Sequence, residues 1–150
     1  MRPASAERVN KIEPIVLEFP IQGGDFTHAG EASSNMKKTL SRLGVRPDCI
    51  KRAAIAMYEA EINAVIHAHG GKAVVSIYPG RVRIEIIDQG PGIPDVEKAM
   101  TAGYSTAPDT AREMGFGAGM GLPNIKRHSD EMKIDTKVGE GTTVTMIVNF

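Results

Sequence analysis

Residues 47–92 read PDCIKRAAIAMYEAEINAVIHAHGGKAVVSIYPGRVRIEIIDQGPG, and the fold turns on how this stretch is divided. Pro47-Asp48 is a helix-start signal, after which Ile50, Ala54, Met57, Tyr58, Ile62, Val65 and Ile66 recur at helical spacing until Gly70-Gly71 stops the pattern. The period then changes from helical to alternating. Segments 72–78 and 81–88 are β-rich, Pro79-Gly80 separates them, and Val82, Ile84 and Ile86 alternate with Arg83 and Glu85, as in an antiparallel hairpin with one face buried. Upstream, Ala29, Ala32, Met36, Leu40 and Leu43 mark an amphipathic helix over 27–43, with Gly44 at its C-terminal cap. A first strand, IVLEFP, begins near Ile15, and residues 1–14 form a tail without periodicity, expected to be flexible. Downstream the pattern predicts a short helix over 95–101, some twenty residues rich in Gly, Ser, Thr, Pro and Ala, and a helix over 123–128. A second hairpin, 132–137 with 142–149, follows around Gly139-Glu140-Gly141. The expected architecture is α/β: one domain over 15–150, a sheet with its helices on one face.

Composition narrows the function. A chain of 150 residues fits one domain. Eighteen Lys and Arg balance eighteen Asp and Glu, so no single-sign field exists to hold nucleic acid or an anionic membrane. No apolar run approaches the roughly 20 residues of a membrane span, and 1–14 has no apolar signal core, so a cytoplasmic protein is expected. Cys49 is the single cysteine, which excludes a disulfide framework and a cysteine-cluster metal site. Glycine is in excess, 16 residues or about 11% against a usual value near 7%, and is clustered around 90–92 and 115–121. Such clusters bring backbone close to a ligand or form a mobile loop.

Four groups of residues carry candidate chemistry. Glu59 and Asn63 lie four apart, on one face of the long helix a turn from each other. A carboxylate there can take a proton while the amide oxygen ligates a magnesium ion, although the same spacing also fits a solvated helix face. Asp88-Gln-Gly90-Pro-Gly92-Ile93 places an acid at a strand end before a turn, suited to accepting an exocyclic amine or to a plain Asp-Gly turn. Gly115-Phe-Gly117-Ala-Gly119-Met120-Gly121-Leu122 runs into a helix whose N-terminus can meet phosphates; a flexible linker is the alternative. The run is neither a P-loop nor a dinucleotide fingerprint. Gly139-Glu-Gly141-Thr-Thr143 is a tight turn with two hydroxyls.

In this order and spacing, Glu59-Ala-Glu-Ile-Asn63, Asp88-Gln-Gly-Pro-Gly92, Gly119-Met-Gly121-Leu and Gly141-Thr-Thr resemble the N, G1, G2 and G3 boxes of the GHKL ATPase superfamily. Within it the chain resembles the bacterial anti-sigma factor serine/threonine kinases, the RsbW, SpoIIAB and RsbT group, over 15–150. The resemblance implies a two-layer α/β sandwich with a mixed, mostly antiparallel sheet, and ATP with Mg²⁺ bound between the helices under a lid over 102–118. Carried over by position, Glu59 is the catalytic base or polarising carboxylate and Asn63 the magnesium ligand. Asp88 accepts the adenine amine, Gly92 shapes the adenine pocket, and Gly90 and Ile93 are further nucleotide-binding residues. Gly119 and Gly121 with Leu122 lie under the phosphates, Gly117 and Met120 are further nucleotide-binding residues, and Thr143 lies near the adenine edge. The implied activity is phosphorylation of a STAS-domain antagonist protein, with a sigma factor or downstream regulator as a second partner and a homodimer as a common state. An anti-sigma factor acting mainly by nucleotide-gated protein binding is the alternative. Arg112 is placed in the lid and His28 early in the first helix, His67 and His69 do not share a helix face, and Glu61 has no assigned role.

Overall fold

The computed structural model describes residues 13–67, 71–101 and 121–150. The chain runs β1 (Ile15–Ile21), α1 (Glu31–Arg42), α2 (Pro47–His67), β2 (Gly71–Tyr78), β3 (Arg81–Asp88), α3 (Val96–Ala99), α4 (Gly121–His128), β4 (Glu131–Lys137) and β5 (Gly141–Asn149). The five strands form one sheet in the order β1-β2-β3-β5-β4. Every pairing among them is antiparallel, so the described sheet has none of the parallel pairs that a mixed sheet allows. The candidate lid over 102–118 and the glycines before 121 lie outside the described residues.

Alternation gives the sheet one core face. Ala73, Val75 and Ile77 of β2, Val82, Ile84 and Ile86 of β3, and Val144, Met146 and Val148 of β5 are all buried on the side that carries the helices. Against them α2 presents Ala53, Ala56, Met57, Ala60 and Ala64. Small residues on this face let the longest helix lie close to the sheet, while Met36 and Leu40 of α1 and Leu122 and Ile125 of α4 fill the flanks. Cys49 is fully buried, its thiol facing Asn149 O at 3.7 Å.

Element ends follow local chemistry with one exception. Helix α1 closes where Gly44 N donates to Ser41 O and Val45 N to Leu40 O, a Schellman pair of bonds. Helix α3 is capped by Asp95, whose Oδ1 accepts from Lys98 N at 3.0 Å. Helix α4 starts two residues before Pro123, and the proline sits in its first turn, where a missing N–H costs nothing. The exception is the start of α1, which begins at Glu31 instead of near Thr27. Its own side chains supply no cap; Glu61 of α2 does so from thirty residues away. Glu61 Oε2 accepts from Gly30 N at 2.9 Å and Ala32 N at 3.3 Å, and Oε1 from Ser33 N at 3.1 Å. The carboxylate thus satisfies three of the helix's orphan donors and sits at its positive end.

With Glu61 only 3% exposed, deleting its carboxyl group strands buried N–H groups. Glu61→Ala is expected to lower unfolding free energy by about 3 kcal/mol, and Glu61→Gln, which keeps one acceptor oxygen, by less. Urea denaturation measures both; a loss below about 1 kcal/mol for the alanine variant contradicts the capping role.

Candidate active site

Helix α2 ends at His67 and β2 begins at Gly71, which pairs with Asp88, so the C-terminal turn of α2 and the end of β3 lie toward the same end of the sheet. Asn63 is half-buried there, and its amide lies against the backbone of Gly121, the first residue of α4. A Cβ on Gly121 would stand 2.9 Å from Asn63 Nδ2 and 3.2 Å from Oδ1. A side chain at 121 would displace the Asn63 amide from this position. The first turn of α4 has no acidic residue and its last turn carries Lys126, Arg127 and His128, so both the dipole and the charge pattern leave the N-terminal end open to an anion. Glu59, one turn before Asn63, is half-buried and makes no hydrogen bond or ion pair with any described residue. Beside it, the Tyr58 hydroxyl is held above its usual pKa by burial, with Glu59 and Glu61 adding to the shift.

Asp88 organises the other half of the site. Its Oδ1 accepts from Gly90 N at 2.9 Å, closing the turn, and from Thr142 N at 3.2 Å on β5. Oδ2 has no donor among the described residues, which suits it to an exocyclic amine. The turn beyond docks on the β4–β5 hairpin. Ile93 N donates to Thr136 Oγ1 at 2.8 Å, Thr136 Oγ1 meets Thr142 Oγ1 at 2.8 Å, and Gly139 N donates to Pro91 O at 2.9 Å. Gly92 has φ +81°, and a Cβ there would fall 2.6 Å from Lys137 O, so its glycine is dictated by both conformation and space.

The structure corrects one candidate. Thr143 pairs with Ile87 and Asp135, which alternate away from the buried Ile86 and Val144, so its side chain leaves the sheet on the helix-free face. Thr142 pairs with Asp88 and lies on the core face beside it. The signal was present in the sequence, since Thr142 continues the alternation of Val144, Met146 and Val148.

The structure brings Asn63 against Gly121, and joins Asp88, Gly90, Gly92 and Ile93 to the β4–β5 hairpin; Glu59 lies one turn before Asn63 and Leu122 follows Gly121, while Gly117, Gly119, Met120, Arg112 and His69 lie outside the described residues. His28 does not join the site or the first helix. It sits in the loop before α1, where Nδ1 meets Asp25 Oδ2 at 2.9 Å, and this hydrogen bond raises the imidazole pKa and lowers that of Asp25. Among the described residues no cluster of three His, Cys, Asp or Glu side chains could hold a metal, and no helix is long and apolar enough to cross a membrane.

The sequence pattern of the histidine kinase-like ATPase domain matches residues 24–148. The chain belongs to that family. Its members similar to this chain include the serine/threonine-protein kinase RsbT of Bacillus subtilis, 36% identical over 104 residues that cover 65% of this chain and 72% of RsbT. The anti-sigma F factor of Caldanaerobacter subterraneus subsp. tengcongensis is 36% identical over 96 residues, covering 61% of this chain and 64% of that protein, just under two thirds. Among solved structures, the RsbU and RsbW domains of Rv1364c from Mycobacterium tuberculosis superpose with TM-score 0.61 at 18% identity, covering 91% of this chain and 33% of that one. The SiaB–SiaC complex from Pseudomonas aeruginosa gives TM-score 0.60 at 15% identity, covering 97% and 95%. At such identities these two establish the shared fold.

Asp88→Asn separates the two tasks of this side chain. The amide oxygen can still hold Gly90 N and Thr142 N, but the other atom becomes a donor. ATP affinity by calorimetry is expected to fall about tenfold or more, while unfolding free energy changes by less than about 1 kcal/mol. An equal effect on both would make Asp88 a turn residue only.

Proposed function

We propose that this protein is an ATP-binding serine/threonine protein kinase of a bacterial partner-switching pathway, acting on a hydroxyl of a STAS-domain antagonist protein. The observation that carries the reading is the contact of the Asn63 amide with Gly121 at the start of α4, which joins a metal ligand to a phosphate-binding helix end. The residues present suit Mg²⁺–ATP. Magnesium takes oxygen ligands and keeps several waters, so one amide oxygen from the protein is enough, with phosphates and water completing the shell. The unpartnered Oδ2 of Asp88 suits the adenine amine. When bound, Mg²⁺–ATP supplies the transferable phosphoryl group and neutralises its charge.

The chain's own residues hold, orient and remove a proton. Asn63 offers its amide oxygen to the metal, and the N–H groups of the first turn of α4 face the phosphates. Asp88 fixes the adenine end, with its own geometry held by Gly90 and Thr142. Glu59, free of protein partners among the described residues, takes the proton of the acceptor hydroxyl. The choice of a protein hydroxyl as acceptor is supported by the likeness to RsbT. The likeness to anti-sigma F factor favours a second reading, in which nucleotide mainly gates the holding of a sigma factor.

Calorimetric titration with ATP, with and without Mg²⁺, and transfer from labelled ATP to a STAS-domain protein test this together. Asn63→Ala is expected to lose the magnesium-dependent part of binding. Glu59→Ala should bind within about threefold of wild type and transfer at least about 10²-fold more slowly. Intact transfer by the Glu59 variant would falsify its role as base; ATP binding without any transfer, with partner held only in the nucleotide-bound state, selects the second reading.

A further inference from the structure

Helix α4 is short, and its two ends are held by the same neighbour. At its start, Gly121 rests on Asn63; at its end, the His128 carbonyl accepts from Arg52 Nη1 at 3.4 Å. Both partners belong to α2, eleven residues apart, about 16 Å of helix, whereas eight residues of α4 span about 12 Å, and the arginine side chain covers the difference. The two helices therefore run antiparallel. The same guanidinium reaches Asp130 Oδ2 with Nη1 at 3.3 Å and Nη2 at 3.4 Å, and Asn149 O with Nη2 at 3.2 Å. Asp130 Oδ2 in turn accepts from Asn149 N at 2.7 Å. One fork thus ties the last carbonyl of α4, the residue before β4 and the end of β5 to α2.

We propose that Arg52 is a positioning residue for the phosphate end of the nucleotide site, seating α4 on α2 so that Gly121 stays against Asn63. The inference rests on the nucleotide reading above. Arg52 and Asp130 are 34% and 35% exposed, and an ion pair that open contributes little to stability on its own. Its geometric consequence is larger. Two turns of helix tilt as a rigid rod about the buried Leu122 and Ile125, so a C-terminal end released from Arg52 also moves Gly121, which lies nearer the pivot, by about half as much. A lysine offers a point charge in place of a planar fork and cannot span the three acceptors in the same way. Asp88 and the β4–β5 hairpin turn make no hydrogen bond to Arg52, so the adenine end is insulated from its loss.

The test compares ATP with adenosine, which lacks phosphates, on wild type, Arg52→Ala and Arg52→Lys, and follows the Gly121 amide by NMR. Arg52→Ala is expected to lose about tenfold in ATP affinity with adenosine affinity unchanged and the Gly121 resonance displaced. Arg52→Lys should recover part of the loss. An equal loss for both ligands, or unchanged ATP affinity with only a lower melting temperature, overturns the positioning role and leaves a structural staple. Wild-type protein that binds neither ligand removes the nucleotide reading itself, and this inference with it.

Discussion

The seating of α2 on the middle of the sheet, through Ala53, Ala56, Ala60 and Ala64, governs the rest of the molecule. Because these side chains are small, the helix lies low over β3 and β5, and its other faces come within reach of both flanking helices. On one flank Glu61 grips the N-terminus of α1; on the other Asn63 meets Gly121 and Arg52 meets the end of α4. The helical repeat of 3.6 residues turns side chains two apart to opposite sides, so Glu61 serves architecture while Glu59 and Asn63 face the site. One element therefore carries the fold's tertiary cap and its candidate chemistry.

The polar groups that matter divide by whether the protein satisfies them. Glu61 is buried and fully engaged with backbone donors, which suits a structural carboxylate. Asp88 is engaged through one oxygen, and Glu59 through none among the described residues. This gradient fits a site whose ligand completes the hydrogen bonding. Membership of the histidine kinase-like ATPase family agrees with it, and the amide of Asn63 lies beside the start of α4.

Much of this was legible in the sequence because it depends on local spacing. The period of 50–66, the alternation of 82–86 and the Asp-x-Gly-x-Gly turn each specify their own conformation. The helices on one face followed from the order of elements. What stayed hidden depends on partners far along the chain. The start of α1 could not be placed, because its cap comes from Glu61. The two threonines of the final turn, by contrast, are separable locally, since the alternation of β5 assigns Thr142 to the core side and Thr143 to the other. Arg52 reads as a solvated helix charge, since its acceptors at 128, 130 and 149 meet it only in the folded sheet.

The proposed site puts a metal-bound nucleotide where Asn63 meets Gly121. Manganese substituted for magnesium in the presence of ATP broadens nuclear resonances near the ion, and the side-chain amide of Asn63 and the backbone amide of Gly121 report that point directly. Broadening centred on these two groups, and absent without nucleotide, is the result predicted. Broadening centred elsewhere, for instance around Asp25 and Glu31, or none with nucleotide present, contradicts the account.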